Sequence, residues 1–450
     1  LKILLISPNR EALPDPVFPI GLAYLATATI EAGHEVHMVD LCFVEDIEDT
    51  LKAACLNFSP ELIGISIRNI DDVSYPKSIS YLSLYRNVIE ICRRHSDAPI
   101  VAGGSGFTIM PEDFMKELDI DYGIVGEGEV SFIDLIRYLQ KEGDLPDAVV
   151  KDKKTDGIPC INMKWKNLRP ARSLFSIKDY YEKGGMLNMQ TRRGCPFRCI
   201  YCSYPLIEGK TSRFREVQEV VDEIQEVVEQ TGVKHFFIVD SIFNHPKEYA
   251  LKFSKALIER GLDIKWNCYA NPGLMEPELI EMMLLAGCTG VEFGTDSLLD
   301  NILENLKKDF KYKQVKDVSR ACRESGLRFC HFIFMGPPGE TPDDIKMNIE
   351  RLSSLNADSS IIMVGIRIFP RTELSVRAEY ELGINNVGLS PVYYISPHVV
   401  NEIENFVEII SQEHKNWVLP GFEINYSERL QKLLRKAGLK GSLWEELSNR

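Results

Sequence analysis

No part of the 450-residue chain offers about 18 uninterrupted apolar side chains, so no membrane span is expected. Positive charge is also short. Lys and Arg number 52 against 66 Asp and Glu, a formal net charge of −14, which argues against a general binder of nucleic acid or any other polyanion. The opening run Leu1–Ile6, followed by Ser7-Pro8-Asn9, is strand-length and lacks the features of a signal peptide. Eleven cysteines, an odd number without an export signal, fit a reduced, cytoplasmic protein better than a disulfide scaffold. There is no internal repeat and no low-complexity segment. At 44% hydrophobic and 26% charged, a chain of this length is expected to form two or three packed units.

What is present is alternation. Over residues 1–150, β-branched runs at Lys2–Ser7, Glu35–Asp40, Leu62–Ile67, Pro99–Gly103 and Asp121–Val125 alternate with amphipathic stretches at Ile20–Ala32, Ile47–Phe58 and Tyr81–His95. This is βαβ grammar, and it predicts a doubly wound, Rossmann-like parallel sheet whose ligands sit beyond the carboxyl ends of its strands. A polar stretch with Lys151-Asp152-Lys153-Lys154 and Gly157-Ile158-Pro159 breaks the pattern, so residues 151–185 read as a linker. Over 186–373 the alternation resumes, with strands expected at Leu187–Gln190, His235–Val239, Lys265–Tyr269, Gly290–Gly294, Leu327–Met335 and Ser360–Ile368. Six strands predict an α/β partial barrel, (β/α)6 and TIM-like, wound by right-handed crossovers. Residues 374–450 lose the rhythm and read as a small helical region, with amphipathic stretches at Val399–Glu413 and Ser427–Ala437.

The most specific local signal is Arg193-Gly194-Cys195-Pro196-Phe197-Arg198-Cys199-Ile200-Tyr201-Cys202, just past the first expected barrel strand. Three thiolates spaced C-x3-C-x2-C on one loop suit an iron–sulfur cubane, and the missing fourth thiolate leaves one iron open to a substrate group. A zinc knuckle needs a fourth Cys or His, and none follows at finger spacing. The spacing, with aromatic Tyr201 before the last cysteine, resembles the radical SAM superfamily. That resemblance implies a [4Fe–4S] cluster on Cys195, Cys199 and Cys202, which binds S-adenosylmethionine (SAM) and cleaves it by one electron to a 5′-deoxyadenosyl radical.

Later segments carry the resemblance through the barrel. Gly290-Val291-Glu292-Phe293-Gly294-Thr295-Asp296-Ser297 is similar to the fourth-strand segment that holds SAM, which implies roles for Glu292 and Ser297. A buried strand with a capped turn is the plainer reading. Phe334-Met335-Gly336-Pro337-Pro338-Gly339-Glu340-Thr341 is similar to the fifth-strand exit, where Gly336 lets backbone approach the ligand. Arg367 on the sixth strand could meet the SAM carboxylate or form a barrel-end salt bridge. Asp240 and Asn244, after the second strand, are expected to point toward the substrate and are the catalytic candidates. Tyr201 completes the SAM set.

The first 150 residues resemble the cobalamin-binding domain of one radical SAM branch. The matching elements are Pro19-Ile20-Gly21-Leu22-Ala23-Tyr24-Leu25-Ala26, Gly64-Ile65-Ser66-Ile67-Arg68, Gly103-Gly104 and Gly126-Glu127-Gly128-Glu129. The resemblance implies that Gly103 and Gly104 open room for a corrin, that Ser66 bonds the nucleotide tail, and that Glu127, between Gly126 and Gly128, meets corrin amides. The D-x-H-x-x-G signature of other cobalamin proteins is absent, since Asp40-Leu41-Cys42-Phe43 has no His at the ligating place. Arg68 is the residue expected beneath cobalt without coordinating it, against a plain ion-pair role. A nucleotide-binding alternative lacks G-x-G-x-x-G.

The combined resemblance implies a cobalamin-dependent radical SAM enzyme, a C-methyltransferase acting on an unactivated carbon. One SAM methylates cobalamin, a second supplies the radical, and a ferredoxin or flavodoxin supplies electrons. The alternative keeps both cofactors for cyclisation, rearrangement or oxidation. The substrate is a small metabolite, lipid or peptide.

Overall fold

The computed structural model describes residues 1–151, 161, 164–425 and 427–447. In the N-terminal unit, β1 (Lys2–Ser7), β2 (Glu35–Asp40), β3 (Leu62–Ser66), β4 (Ile100–Gly103) and β5 (Tyr122–Ile124) alternate with α1 (Ile20–Glu31), α2 (Ile47–Phe58), α3 (Leu82–His95) and α4 (Gly128–Leu139). The sheet order is β2-β1-β3-β4-β5, all parallel, with β6 (Val149–Val150) antiparallel at one edge. Central β1 is apolar on both faces because helices cover both: Leu4 and Ile6 pack into one core, Ile3 and Leu5 into another.

The second unit is an open barrel. Strands β7 (Leu187–Met189), β8 (His235–Ile238), β9 (Lys265–Ala270), β10 (Cys288–Asp296), β11 (Arg328–Met335) and β12 (Ser359–Val364) run parallel in that order. Helices α5 (Ile177–Gly184), α6 (Val217–Thr231), α7 (Lys247–Arg260), α8 (Pro277–Leu285), α9 (Tyr312–Ser325) and α10 (Pro342–Leu355) precede or connect them. The alternation that sets the strands also sets the core: Trp266, Cys268, Val291 and Phe293 face the helices.

Two expectations are corrected. From Lys164 onward the supposed linker is folded: buried Trp165 packs edge-on to Tyr24 at 6.1 Å, and Arg172 bonds Glu223 of α6 at 2.8 Å. Single aromatic and arginine side chains did this, which no periodic pattern reports. Residues 152–160 lie outside the described residues. The C-terminal region is also more than a helical cap. Besides α11 (Ile403–Glu413) and α12 (Glu428–Lys436), it adds β13 (Trp417–Val418) beside β12 as a seventh barrel strand. A terminal 3-10 turn, Leu443–Leu447, then enters the barrel floor, where Glu445 accepts from Asn267 and pairs with Arg328. No helix among the described residues is long and apolar enough to cross a membrane.

Candidate cluster and corrin site

The cysteine loop leaves β7 under tight restraint. Asp240, at the end of β8, accepts from Thr191 N at 2.8 Å, Arg192 N at 3.2 Å and the Thr191 hydroxyl at 2.5 Å. Gly194 then turns at φ +90°, where a Cβ would lie 2.2 Å from the Thr211 carbonyl oxygen, so only glycine fits. Its N–H donates to Glu208 Oε2 at 3.0 Å, and Cys195 N–H donates to Gly209 O at 3.1 Å.

The three cysteines form no disulfide and lie within electrostatic reach of one another. Burial pushes the Cys202 thiol up to about 12 and Cys199 up as well, so a cationic centre is what would hold them as thiolates. Among the described residues no three His, Cys, Asp or Glu side chains converge on a single metal ion. A cubane takes each thiolate on a different iron, so its ligands need not converge on one point. The donor set fits a cluster.

Tyr201 meets the edge of Phe334, with ring centroids 5.0 Å apart, and donates to Asp296 Oδ2 at 2.5 Å. Asp296 also receives Lys308 Nζ at 2.8 Å. Its φ of +66° coincides with a break in the β10–β11 register between Gly294 and Asp296, a bulge that re-aims the side chain. Asp296 and Lys308 were not singled out from sequence, although the turn Gly294-Thr295-Asp296-Ser297 at a strand exit was the available signal.

Several expected site residues are placed in supporting roles. Asn244 exchanges two 2.9 Å hydrogen bonds with the Asn271 backbone and is 1% exposed; like Asp240 it braces a strand end. The Ser297 hydroxyl accepts from Leu299 N at 3.3 Å and from Asn348 at 3.2 Å, a capped turn. Gly336, at φ +91°, donates to buried Glu340 at 2.6 Å. Arg367 is tied across the domain boundary to Asp71 at 2.8 Å, the salt-bridge alternative. Glu292 lies four residues below Asp296 and accepts from Trp444 at 2.8 Å. The long-range partners Asp71 and Trp444 are invisible to spacing.

Above the loop, the carboxyl ends of β1, β3, β4 and β5 face the barrel across a cavity of about 630 Å³, within the range of cofactor sites. Ser66, Arg68, Gly103, Gly104, Gly126, Glu127 and Gly128 all border it, as do Asn188, Gln190, Arg193, Ser203 and Tyr204 from the barrel. A Cβ on Gly103 would meet nothing closer than 3.8 Å, so its absence widens the cavity. Gly104 instead adopts φ +103° and packs where a Cβ would be 2.7 Å from the Ile67 carbonyl oxygen. The Glu127 carboxylate binds Arg213 through bonds of 2.8 and 2.6 Å and lies 3.5 Å from Arg193. Arg193 pairs with Glu129 at 2.7 Å and covers the Trp165 ring at 4.4 Å. The glycine–glutamate loop therefore clamps the two units together.

The lining fits a corrin. Arg68 borders the cavity, and none of the eight histidines does. Protein loaded with cobalamin and held as Co(II) is accordingly expected to show electron paramagnetic resonance without axial nitrogen superhyperfine splitting. Clear splitting from an imidazole would refute the absence of a histidine lower ligand.

Comparison with known proteins agrees in order and extent. Residues 8–136 match the B12 binding domain and residues 189–352 the Radical SAM superfamily. The tryptophan 2-C-methyltransferase of Streptomyces laurentii is 26% identical over 82% of this chain and 73% of its own length. An uncharacterized methyltransferase of Pyrococcus horikoshii is 27% identical over 97% of this chain and 91% of its own. The solved structure of TsrM from Kitasatospora setae, a radical SAM methyltransferase with cobalamin and a [4Fe–4S] cluster bound, shares the fold with a TM-score of 0.86 at 23% identity, covering 99% of this chain and 97% of that one. With both domains matched in this order and one fold shared along the whole chain, the protein belongs to the cobalamin-dependent radical SAM family.

Proposed function

We propose that the chain is a C-methyltransferase that moves a methyl group from SAM by way of cobalamin to an unactivated carbon of a small metabolite, lipid or peptide. The observation that carries this reading is the single cavity joining the carboxyl ends of the N-terminal sheet to the barrel face beside the cysteine loop. When bound, the cluster supplies one-electron cleavage of SAM and the corrin supplies methyl carriage.

The chain's own residues hold, charge and enclose. Cys195, Cys199 and Cys202 would hold the cluster through three thiolates. Asp296, fixed by Tyr201 and Lys308, offers a carboxylate suited to an ammonium group of SAM. Arg68 keeps positive charge on the cavity wall, which favours an electron-rich corrin. The buried Arg213–Glu127 and Arg193–Glu129 pairs shut the space between the units, and exclusion of water strengthens each electrostatic contact inside. A radical SAM enzyme requires a reductant; a ferredoxin or flavodoxin fits.

The test is made without substrate. Reconstituted protein given reductant and SAM is expected to form S-adenosylhomocysteine stoichiometric with its bound corrinoid. Deoxyadenosine without S-adenosylhomocysteine would remove methyl transfer and leave cyclisation, rearrangement or oxidation.

A further inference from the structure

Inside the barrel stands a carboxylate that this chemistry does not use. Val291 and Phe293 pack among the helices, so Glu292 between them points into the lumen. The same alternation turns Tyr269 and Phe332 inward, and Tyr269 lies beside Glu292 in the strand register. The ring of Tyr269 is 4.9 Å from that of Phe237 and 6.4 Å from that of Phe332. Tyr269 is 37% exposed despite its place in the barrel, and it lies within electrostatic reach of Glu292 on one side and of Arg68 and Tyr204 on the other. Both of the latter border the interdomain cavity.

Glu292 is 6% exposed. Its Oε1 accepts from Trp444 Nε1 at 2.8 Å and Ser442 Oγ at 3.4 Å, while nothing among the described residues donates to Oε2. Glu445 and Asp15 add further negative charge, and burial pushes the carboxyl up to about 7. A carboxylate accepts but cannot donate, and a buried one needs a cation or donors. The surrounding rings attract a cation over their faces and favour a flat apolar body.

We infer that the lumen binds a substrate with a flat aromatic or apolar body bearing a protonated amine, whose ammonium pairs with Glu292 Oε2 between Phe237, Tyr269 and Phe332. Trp444 is then a positioning residue, holding the carboxylate from the far end of the chain. The inference deepens the proposed reading and rests on it for the word substrate, but its test needs no turnover.

The probe is radiolabelled 2-phenylethylamine, measured by equilibrium dialysis against cluster- and corrinoid-loaded protein and compared with 2-phenylethanol, which carries a hydroxyl in place of the ammonium. The amine is expected to bind about tenfold tighter than the alcohol, as a charge-assisted hydrogen bond provides. Glu292→Gln should erase that preference with iron and corrinoid content intact, and Trp444→Phe should weaken amine binding several-fold. Equal binding of the two probes, or unchanged amine binding in Glu292→Gln, overturns the inference. So does loss of SAM binding alone, which would return Glu292 to the SAM site. If Glu292→Gln does not load its cofactors, Trp444→Phe decides, and unchanged amine affinity there overturns the inference. Amine binding in a protein that forms no S-adenosylhomocysteine leaves the inference standing and removes only methyl transfer.

Discussion

Replacing Cys195, Cys199 and Cys202 together by alanine is expected to abolish both the cluster absorption and all reductive cleavage of SAM. The loss is total because the chemistry belongs to the cluster and no other side chain can substitute for it. The remaining described cysteines are poor replacements: Cys55, Cys92, Cys268, Cys288, Cys322 and Cys330 are buried in the cores, and Cys42 packs beside Tyr180 of α5. The measurements are iron and sulfide content after anaerobic reconstitution, with deoxyadenosine formation under reductant. The triple variant should keep its corrinoid, since the N-terminal sheet and its cavity lining are untouched. Full iron content in that variant would sink the assignment.

The second large effect is expected at Glu127. Its carboxylate is 6% exposed and is shared between Arg213 and Arg193 at the boundary of the two units. Glu127→Ala leaves those guanidinium groups buried with too little negative charge, a change that costs about 3–5 kcal/mol in comparable buried pairs. A urea titration should show a lower midpoint, and corrinoid should be lost because the cavity is formed by the same boundary. Glu127→Gln, which keeps one acceptor, should fall between alanine and wild type. A variant of full stability that cannot hold corrinoid would instead make Glu127 a contact to the cofactor. A variant with neither defect would remove both roles.

The cysteine loop was legible because its ligands are neighbours in sequence: three thiolates on one turn need only local spacing. The strands were legible for a related reason. A parallel strand covered on both faces reads as a continuous apolar run, as in Ile3–Ile6, and its place in the order follows from right-handed crossovers. Individual polar roles were not legible in this way. Asp240 and Asn244 sit at a strand end where substrate-facing residues are expected, yet their side chains satisfy the backbone of Thr191, Arg192 and Asn271. A buried polar group that finds donors or acceptors nearby becomes a brace, and whether it does so depends on which loops approach it.

The amino-acid sequence by itself determined the two α/β units, the three-cysteine loop, the glycines at the sheet ends and the missing cobalamin histidine, because each is set by local periodicity, spacing or backbone freedom. Only the tertiary structure decided which charges meet. Arg367 found Asp71, 296 residues away. Glu127 was taken by Arg213, and Glu292 was held by Trp444, 152 residues away, on the floor of the barrel. Buried charges must be paired wherever the fold brings a partner within reach, and that reach is fixed by how the two sheets dock and where the chain's last helix returns.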